Sequence, residues 1–395
     1  MENIIERIIQ ELEQAELQKY WPGFEKVAYA VYNETEVTIF NHPKFKHQEK
    51  LKRDAHFNAC TLIMYEDYPT AIVDLQFFEK FEDLYSILVH ELFHGYQYLK
   101  GEKRFPDEMK GVTYPVSGEN VELRNLERLN LFHALVEKDP AKKKEYLQAF
   151  VSLREQRAIA IDEHLTYENL IETVEGPAWY VEMRAYYEKS GLEFSTILRK
   201  YGEPLKDPYQ STIKVRMSCY SSGLFMCVLL DELSPKWKET FFNAKKTIYD
   251  YIKECSDIDI TQSYRLIEIS SETKKIVDSV IKNKEEKFTA FNEQEGIHLT
   301  IVGKIIATAF DPMNIVMLDR KVLHQNFLKI RIHDEEYLLQ QPVVTKGEGL
   351  RQMRELHLRL RSELVIRKSS LFIDGIGEIK GKVEKKGEHF YLNIR

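Results

Sequence analysis

The sequence predicts an α+β fold: a helix-rich domain with a few strands near its start, then a smaller β-rich domain. Three observations predict it. Short β-branched and alternating runs fill residues 27–75, helical periodicity dominates from about Phe78 to Lys253, and short alternating segments return beyond Gly296. A chain of 395 residues suits two or three domains. Hydrophobic residues at 43% and charged residues at 30% are enough to bury a large core, and 12% aromatic content argues against disorder.

Residues 1–20 predict an amphipathic helix, with Ile4, Ile5, Ile8, Ile9 and Leu12 on one stripe. Residues 27–32, 36–40 and 59–65 carry β character, and Pro69 introduces a further strand over 70–75. Helix signals run from 78 to 100. Residues 119–188 are largely helical by pattern, with an interruption at Gly176-Pro177, and further helices are predicted over 222–232 and 236–253. The texture changes near residues 293–297, which places a domain boundary at about 293 and divides the chain into 1–293 and 297–395. In the second part, strands are predicted over 298–306, 314–318, 327–332, 364–367 and 389–394, with one helix over 350–360. That part carries no chemical motif, and the chain has no internal repeat.

The formal net charge of −7 argues against a nucleic-acid partner, because phosphate binding needs clustered Lys and Arg. Cys60, Cys219, Cys227 and Cys255 show no CxxC spacing, so a cysteine metal site is not indicated. The N-terminus is acidic and amphipathic, unlike a secretory leader, and no apolar run approaches the roughly 20 residues that span a bilayer. These features predict a cytoplasmic protein without a membrane partner. They leave its oligomeric state open.

The chemistry-bearing segment is His90-Glu91-Leu92-Phe93-His94. Two histidines at i and i+4 point the same way from a helix and can share one tetrahedral zinc ion. Glu91 then lies beside the metal without ligating it, placed to take a proton from the attacking water. Leu84, Ile87, Leu88 and Leu92 make the apolar stripe of such a helix, with neither Gly nor Pro from Phe77 to His94. A metzincin would need Gly at position 97 and His at position 100, where this chain has Gln97 and Lys100, so the third ligand comes from elsewhere.

Downstream, Thr173-Val174-Glu175-Gly176-Pro177-Ala178-Trp179-Tyr180-Val181-Glu182 resembles the NEGFA-type segment of the gluzincin zinc peptidases. In motif order the chain resembles the aminopeptidase N and leukotriene hydrolase group over roughly residues 57–235. The resemblance implies a thermolysin-like catalytic domain with Glu175 as third zinc ligand. Pro177 would then sit in the first turn of a helix that Glu175 begins. Glu168, Glu172, Glu175 and Glu182 also share one helical stripe, which leaves Glu172 as a rival ligand and a solvated face as the plain alternative. Tyr220-Ser221-Ser222-Gly223 resembles the Tyr-x-Lys-Gly segment of the same group, with Ser222 in place of Lys. It implies that the Tyr220 hydroxyl stabilises the oxyanion. The GxMEN segment that binds a substrate amino terminus is not found upstream of His90, so the resemblance does not extend to aminopeptidase specificity.

Together these readings imply a zinc-dependent peptidase with a peptide or protein substrate. His90, His94 and Glu175 hold Zn2+, Glu91 is the general base, and residues 71–75 form the edge strand that pairs with extended substrate. The alternative is a catalytically silent regulatory or partner-binding protein whose zinc is structural.

Overall fold

The structure is a computed structural model that describes residues 2–54, 56–257, 267–349, 351–361 and 363–394. It is a mixed α and β molecule with a helical lobe and a C-terminal β-rich region. The chain divides into two compact units. The first comprises residues 1–106 and 117–269, the second residues 107–116 and 270–395.

The first unit opens with α1 (Glu2–Gln14), which ends short of the predicted residue 20; a 3-10 turn, Leu17–Lys19, follows it. Five strands follow: β1 (Ala28–Tyr32), β2 (Glu36–Phe40), β3 (Glu49–Lys52), β4 (Thr61–Tyr65) and β5 (Tyr68–Asp74). They form one sheet in the order β3-β2-β1-β5-β4, with β1 and β5 parallel and the other pairs antiparallel. Residues 71–75 are therefore not an edge strand. β5 lies between β1 and β4, its residues Thr70 to Asp74 are all buried, and the free edge on that side belongs to β4. The reason is visible in the sequence: Thr70-Ala71-Ile72-Val73 is a continuous small and β-branched run, the signature of a strand covered on both sides.

α2 (Phe81–Leu99) packs against β5, and α3 (Glu108–Val112) clusters with the second unit. The helical lobe is α4 (Gly118–Val136), α5 (Pro140–Ile161), α6 (Glu163–Ser190), α7 (Phe194–Lys206), α8 (Pro208–Ile213), α9 (Val215–Leu233), α10 (Trp237–Thr240) and α11 (Ile248–Ser256). The helix predicted over 236–253 is two short ones. Thr247 restarts the helix with a capping box, accepting from the Asp250 N–H while the Asp250 carboxylate accepts from Thr247.

The predicted break at Gly176-Pro177 is overturned. α6 runs unbroken through it, so Glu175 sits mid-helix rather than at a helix start. Interior proline costs about 3 kcal/mol by removing a donor and crowding the preceding turn. Packing outweighs this. Glu172 to Ala178 are all buried, and Thr173 Oγ1 accepts the Ile248 N–H at 3.1 Å while donating to the Asn169 carbonyl at 2.6 Å. The core around these helices includes Trp21, Leu88, Phe93, Val181, Leu229 and Trp237. A fully buried side chain of that kind contributes about 1.5–3 kcal/mol.

The longer segment of the second unit, from residue 270, begins with α12 (Ser271–Asn292), so the texture change near 293–297 marks the passage from α12 to β6 inside this unit. Its strands are β6 (Ile297–Phe310), β7 (Ile315–Leu318), β8 (Lys321–His324), β9 (Leu328–Ile332), β10 (Glu335–Leu339), β11 (Val343–Gly347), β12 (Gln352–Leu360), β13 (Leu364–Ile366), β14 (Ser370–Ile373), β15 (Gly377–Lys380), β16 (Lys382–Lys386) and β17 (His389–Asn393). One sheet runs β10-β9-β6-β12-β11-β8-β7, with β17 parallel to β6 and carrying β16; a second runs β13-β14-β15. The predicted helix over 350–360 is strand β12 from Gln352 onward, Arg351 being a bend and Leu350 lying outside the described residues. A register shift between Met353 and Glu355 puts buried Met353 and Leu356 three apart, which imitates helical spacing. Beyond it Leu356, Leu358 and Leu360 alternate cleanly into the core. Among the described residues, no helix is long and apolar enough to cross a membrane.

Candidate metal centre

α2 buries Leu84, Leu88, Val89, Leu92 and Phe93 against the sheet and the lobe. The same helix then turns His90 and His94 toward α6, with their rings edge to face and 4.7 Å apart. Glu175 on α6 faces them. Its Oε2 lies 3.3 Å from His94 Nε2 and 3.8 Å from His90 Nε2, and the two Nε2 atoms are 3.0 Å apart. Among the described residues, these three are the group whose donor atoms come close enough together to hold a metal ion.

The outer hydrogen bonds fix what those atoms are. His90 Nδ1 lies 2.9 Å from Glu182 Oε2, a carboxylate that can only accept while ionised, so Nδ1 carries the proton. His94 Nδ1 lies 2.7 Å from Gln97 Oε1. The Gln97 amide is oriented by its own Nε2, which donates to the Val174 carbonyl at 2.8 Å. Nδ1 of His94 is therefore also a donor. In the neutral imidazoles both Nε2 atoms are then lone pairs aimed at the same point as a carboxylate oxygen. Three converging lone pairs repel one another unless positive charge lies among them.

In the absence of a metal ion, a proton on His94 supplies that positive charge. Burial opposes charge on His94, yet the Glu175 carboxylate beside it outweighs burial and pushes its pKa up to about 9. Burial likewise opposes ionisation of Glu175, but His94, His90 and Arg216 hold it down to about 2. Glu91 is 8% exposed; burial first, with the Glu175 and Glu182 charges, raises its carboxyl above the usual range against the pull of both histidines. The edge strand β4 packs on α2, the helix that carries Glu91.

Tyr220 is brought to the same place. Its ring stands edge-on to Trp179 at 5.7 Å, and its hydroxyl accepts from Arg216 Nη1. Arg216 Nη2 donates to the other Glu175 oxygen, Oε1, at 3.1 Å. Burial, together with the Glu175 charge, raises the Tyr220 pKa, so the phenol stays a neutral donor.

Glu172 goes elsewhere. Its carboxylate takes two bonds from Arg154, at 2.6 and 2.8 Å, and one from Ser222. Arg154 also pairs with Glu127, Glu127 with Arg157, and Arg157 with Glu168, which pairs with Arg124, all of these side chains at most 3% exposed. The carboxylate stripe of α6 is thus buried rather than solvated: Glu168 and Glu172 serve an ion-pair network, Glu175 faces the histidines and Glu182 backs His90.

Glu182, Gln97, Tyr201 and Arg216 were missed by sequence reasoning. Two of them were signalled by spacing: Glu182 lies two turns beyond Glu175 on one face, and Gln97 one turn beyond His94. Tyr201, whose hydroxyl donates to Glu182 Oε1 at 2.9 Å, comes from α7 and had no local signal. Comparison of the chain with protein-family models, with curated proteins and with solved structures finds no match.

Proposed function

We propose that this chain is a zinc-dependent peptidase of the gluzincin type, with a thermolysin-like catalytic domain, that hydrolyses peptide bonds with Glu91 as general base. One observation carries the reading: His90 Nε2, His94 Nε2 and Glu175 Oε2 converge while both Nδ1 atoms already donate outward. Two imidazoles and a carboxylate are a ligand set of hydrolytic zinc sites, and an outer acceptor on each imidazole is their usual support. The residues present therefore fit the ion. Bound there, zinc would supply a Lewis acid that brings the pKa of water toward about 7 and polarises the carbonyl under attack.

The remaining steps belong to the chain. Glu182 and Gln97 hold the two imidazoles in the tautomer that presents Nε2. Glu91 follows His90 directly, takes the proton of the attacking water and later gives it to the leaving amine. Burial raises its carboxyl above the usual range, which makes its ionised form a stronger base than a solvated carboxylate. Tyr220, a neutral donor beside Glu175, stabilises the oxyanion as it forms. An extended peptide, the proposed substrate, pairs with the free edge of β4.

The test is metal content alongside one variant. Purified protein should hold about one zinc per chain, His90→Ala and His94→Ala should lose it, and Glu91→Gln should keep it yet lose most peptide hydrolysis. Zinc retained in both histidine variants, or hydrolysis undiminished in Glu91→Gln, would overturn the proposal.

A further inference from the structure

Arg216 joins two groups that the proposed mechanism uses separately. It stands on α9 one turn before Tyr220, about 6 Å along the axis, so both side chains leave the helix on one face. Its guanidinium donates through Nη1 to the Tyr220 hydroxyl and through Nη2 to Glu175 Oε1 at 3.1 Å. The same guanidinium lies 5.3 Å from the centre of the Tyr220 ring. The side chains of Arg216 and Glu175 are 23% and 10% exposed, so the pair is largely shielded from water.

Both oxygens of Glu175 are thereby assigned. Oε2 faces the Nε2 atoms of His94 and His90, at 3.3 and 3.8 Å, while Oε1 faces a cation. A carboxylate free to turn could place both oxygens on one ion, which adds a ligand and fills the position that a hydrolytic site keeps open for water or substrate. An arginine on the far oxygen opposes that turn. Tyr220 is fixed by the same cation. A hydroxyl has one proton to donate and lone pairs that accept. Arg216 occupies a lone pair, which directs the phenol proton elsewhere, and Trp179, edge-on at 5.7 Å, limits the swing of the ring. Arginine suits both tasks because its planar fork holds two acceptors in a fixed relation, which the point charge of a lysine does not.

We propose that Arg216 is the positioning residue of this centre: it holds Glu175 to ligation through one oxygen, which keeps a coordination position open, and it aims the Tyr220 hydroxyl at the oxyanion. The proposal rests on the peptidase reading, so its test includes a spectroscopic arm that needs no turnover. The full chain, Arg216→Gln and Arg216→Lys are stripped with a chelator and reloaded with cobalt(II), whose visible band is strong with four ligands and weakens several-fold with five. Arg216→Gln should still take up cobalt but show the weaker band. Arg216→Lys, which keeps a cation for Oε1, should keep the parent band. In peptide hydrolysis by the zinc-loaded chains, both variants should lower kcat about tenfold or more with KM nearly unchanged. Tyr220→Phe, made in either variant, should then cost far less than the roughly 10²–10³ expected in the parent, because the phenol is already misplaced. A parent band in cobalt-loaded Arg216→Gln, or additive losses with Tyr220→Phe, overturns the proposal while peptide hydrolysis by the parent keeps the peptidase reading. A parent that binds cobalt and cleaves nothing sinks that reading, and the weaker band in Arg216→Gln still sustains the hold on Glu175. Should Arg216→Gln fail to fold, additivity in Arg216→Lys is the overturning result. A chain that takes up no metal ends both.

Discussion

Replacing Glu182 by glutamine tests whether the outer hydrogen bond to His90 sets metal affinity. The carboxylate accepts from His90 Nδ1 and from the Tyr201 hydroxyl, both at 2.9 Å; the first distance lies within the range of charge-assisted N–H bonds. The side chains of His90 and Glu182 are 7% and 8% exposed, so solvent screens the pair little. An ionised acceptor raises the basicity of the imidazole it holds, and loss of such a partner typically costs 10–100-fold in metal affinity, about 1.4–2.7 kcal/mol. Glutamine keeps the shape and one neutral bond of roughly half the strength. Glu182→Gln should therefore fall near the tenfold end and Glu182→Ala nearer a hundredfold. Tyr201→Phe, which leaves the carboxylate in place, should cost less than either. Competition with a chromophoric chelator at fixed pH measures each value, and circular dichroism checks the fold. Unchanged zinc affinity in both Glu182 variants, with the fold intact, would refute the argument that His90 is tuned from behind.

Two further outcomes follow from buried charge. Glu172→Gln should destabilise the chain by about 3 kcal/mol, the low end for breaking a buried ion pair because Arg154 keeps Glu127, and should leave zinc bound; Glu175→Gln should do the opposite, and a reversal in urea melts and metal assays would make Glu172 the ligand. In the second unit, burial first and neighbouring positive groups next hold His298 down to about 4 and also lower His357 and His389. Imidazoles depressed below their unfolded value of about 6.5 bind fewer protons in the folded state, so their contribution is complete above about pH 6.5 and is lost as pH falls toward 4. Thermal melts between those values should show the loss, and His298→Asn should flatten it; superimposable profiles for the two proteins would count against this cluster.

Much of this was legible because it is local. The i, i+4 histidines, the apolar stripe of α2 and the first strands depend on spacing within a few residues, and β2 falls on the predicted 36–40. What failed was decided by distant residues. Pro177 reads as a helix start from its neighbours, yet α6 continues because α9 and the start of α11 pack on it. β5 reads as an edge until β4 is seen to pair outside it. In β12, a bulge changes the phase of the apolar residues, and only the partner strands β6 and β11 reveal the underlying alternation. The glutamates of α6 share one stripe in the sequence; α2, α4, α5, α7 and α9 each supply a partner that assigns them different work.

The motif order itself has a physical cause in how α6 meets α9. A Cβ on Gly176 would lie 2.6 Å from the Gly223 carbonyl carbon, and one on Gly223 would lie 2.6 Å from the Glu172 carbonyl oxygen. Neither contact is possible for a larger residue without parting the helices, because the obstructing atoms are backbone. Two glycines thus set the closest approach of the pair. Glu175 adjoins one of them, and Tyr220 precedes the other by about one turn. The spacing of carboxylate to glycine on α6, and of tyrosine to glycine on α9, therefore measures how far each polar group stands from the crossing point. Arg216, one further turn back on α9, then reaches Glu175 Oε1 and the Tyr220 hydroxyl together. Ser222, beside Gly223 on the buried side of α9, turns instead to Glu172 and joins the ion-pair network. A lysine at that position would bring a second cation against Arg154, which already carries the positive charge of the pair. The serine is thus matched to the arginine network behind it, and the Tyr-x-x-Gly spacing alone suffices to deliver the phenol to the third carboxylate.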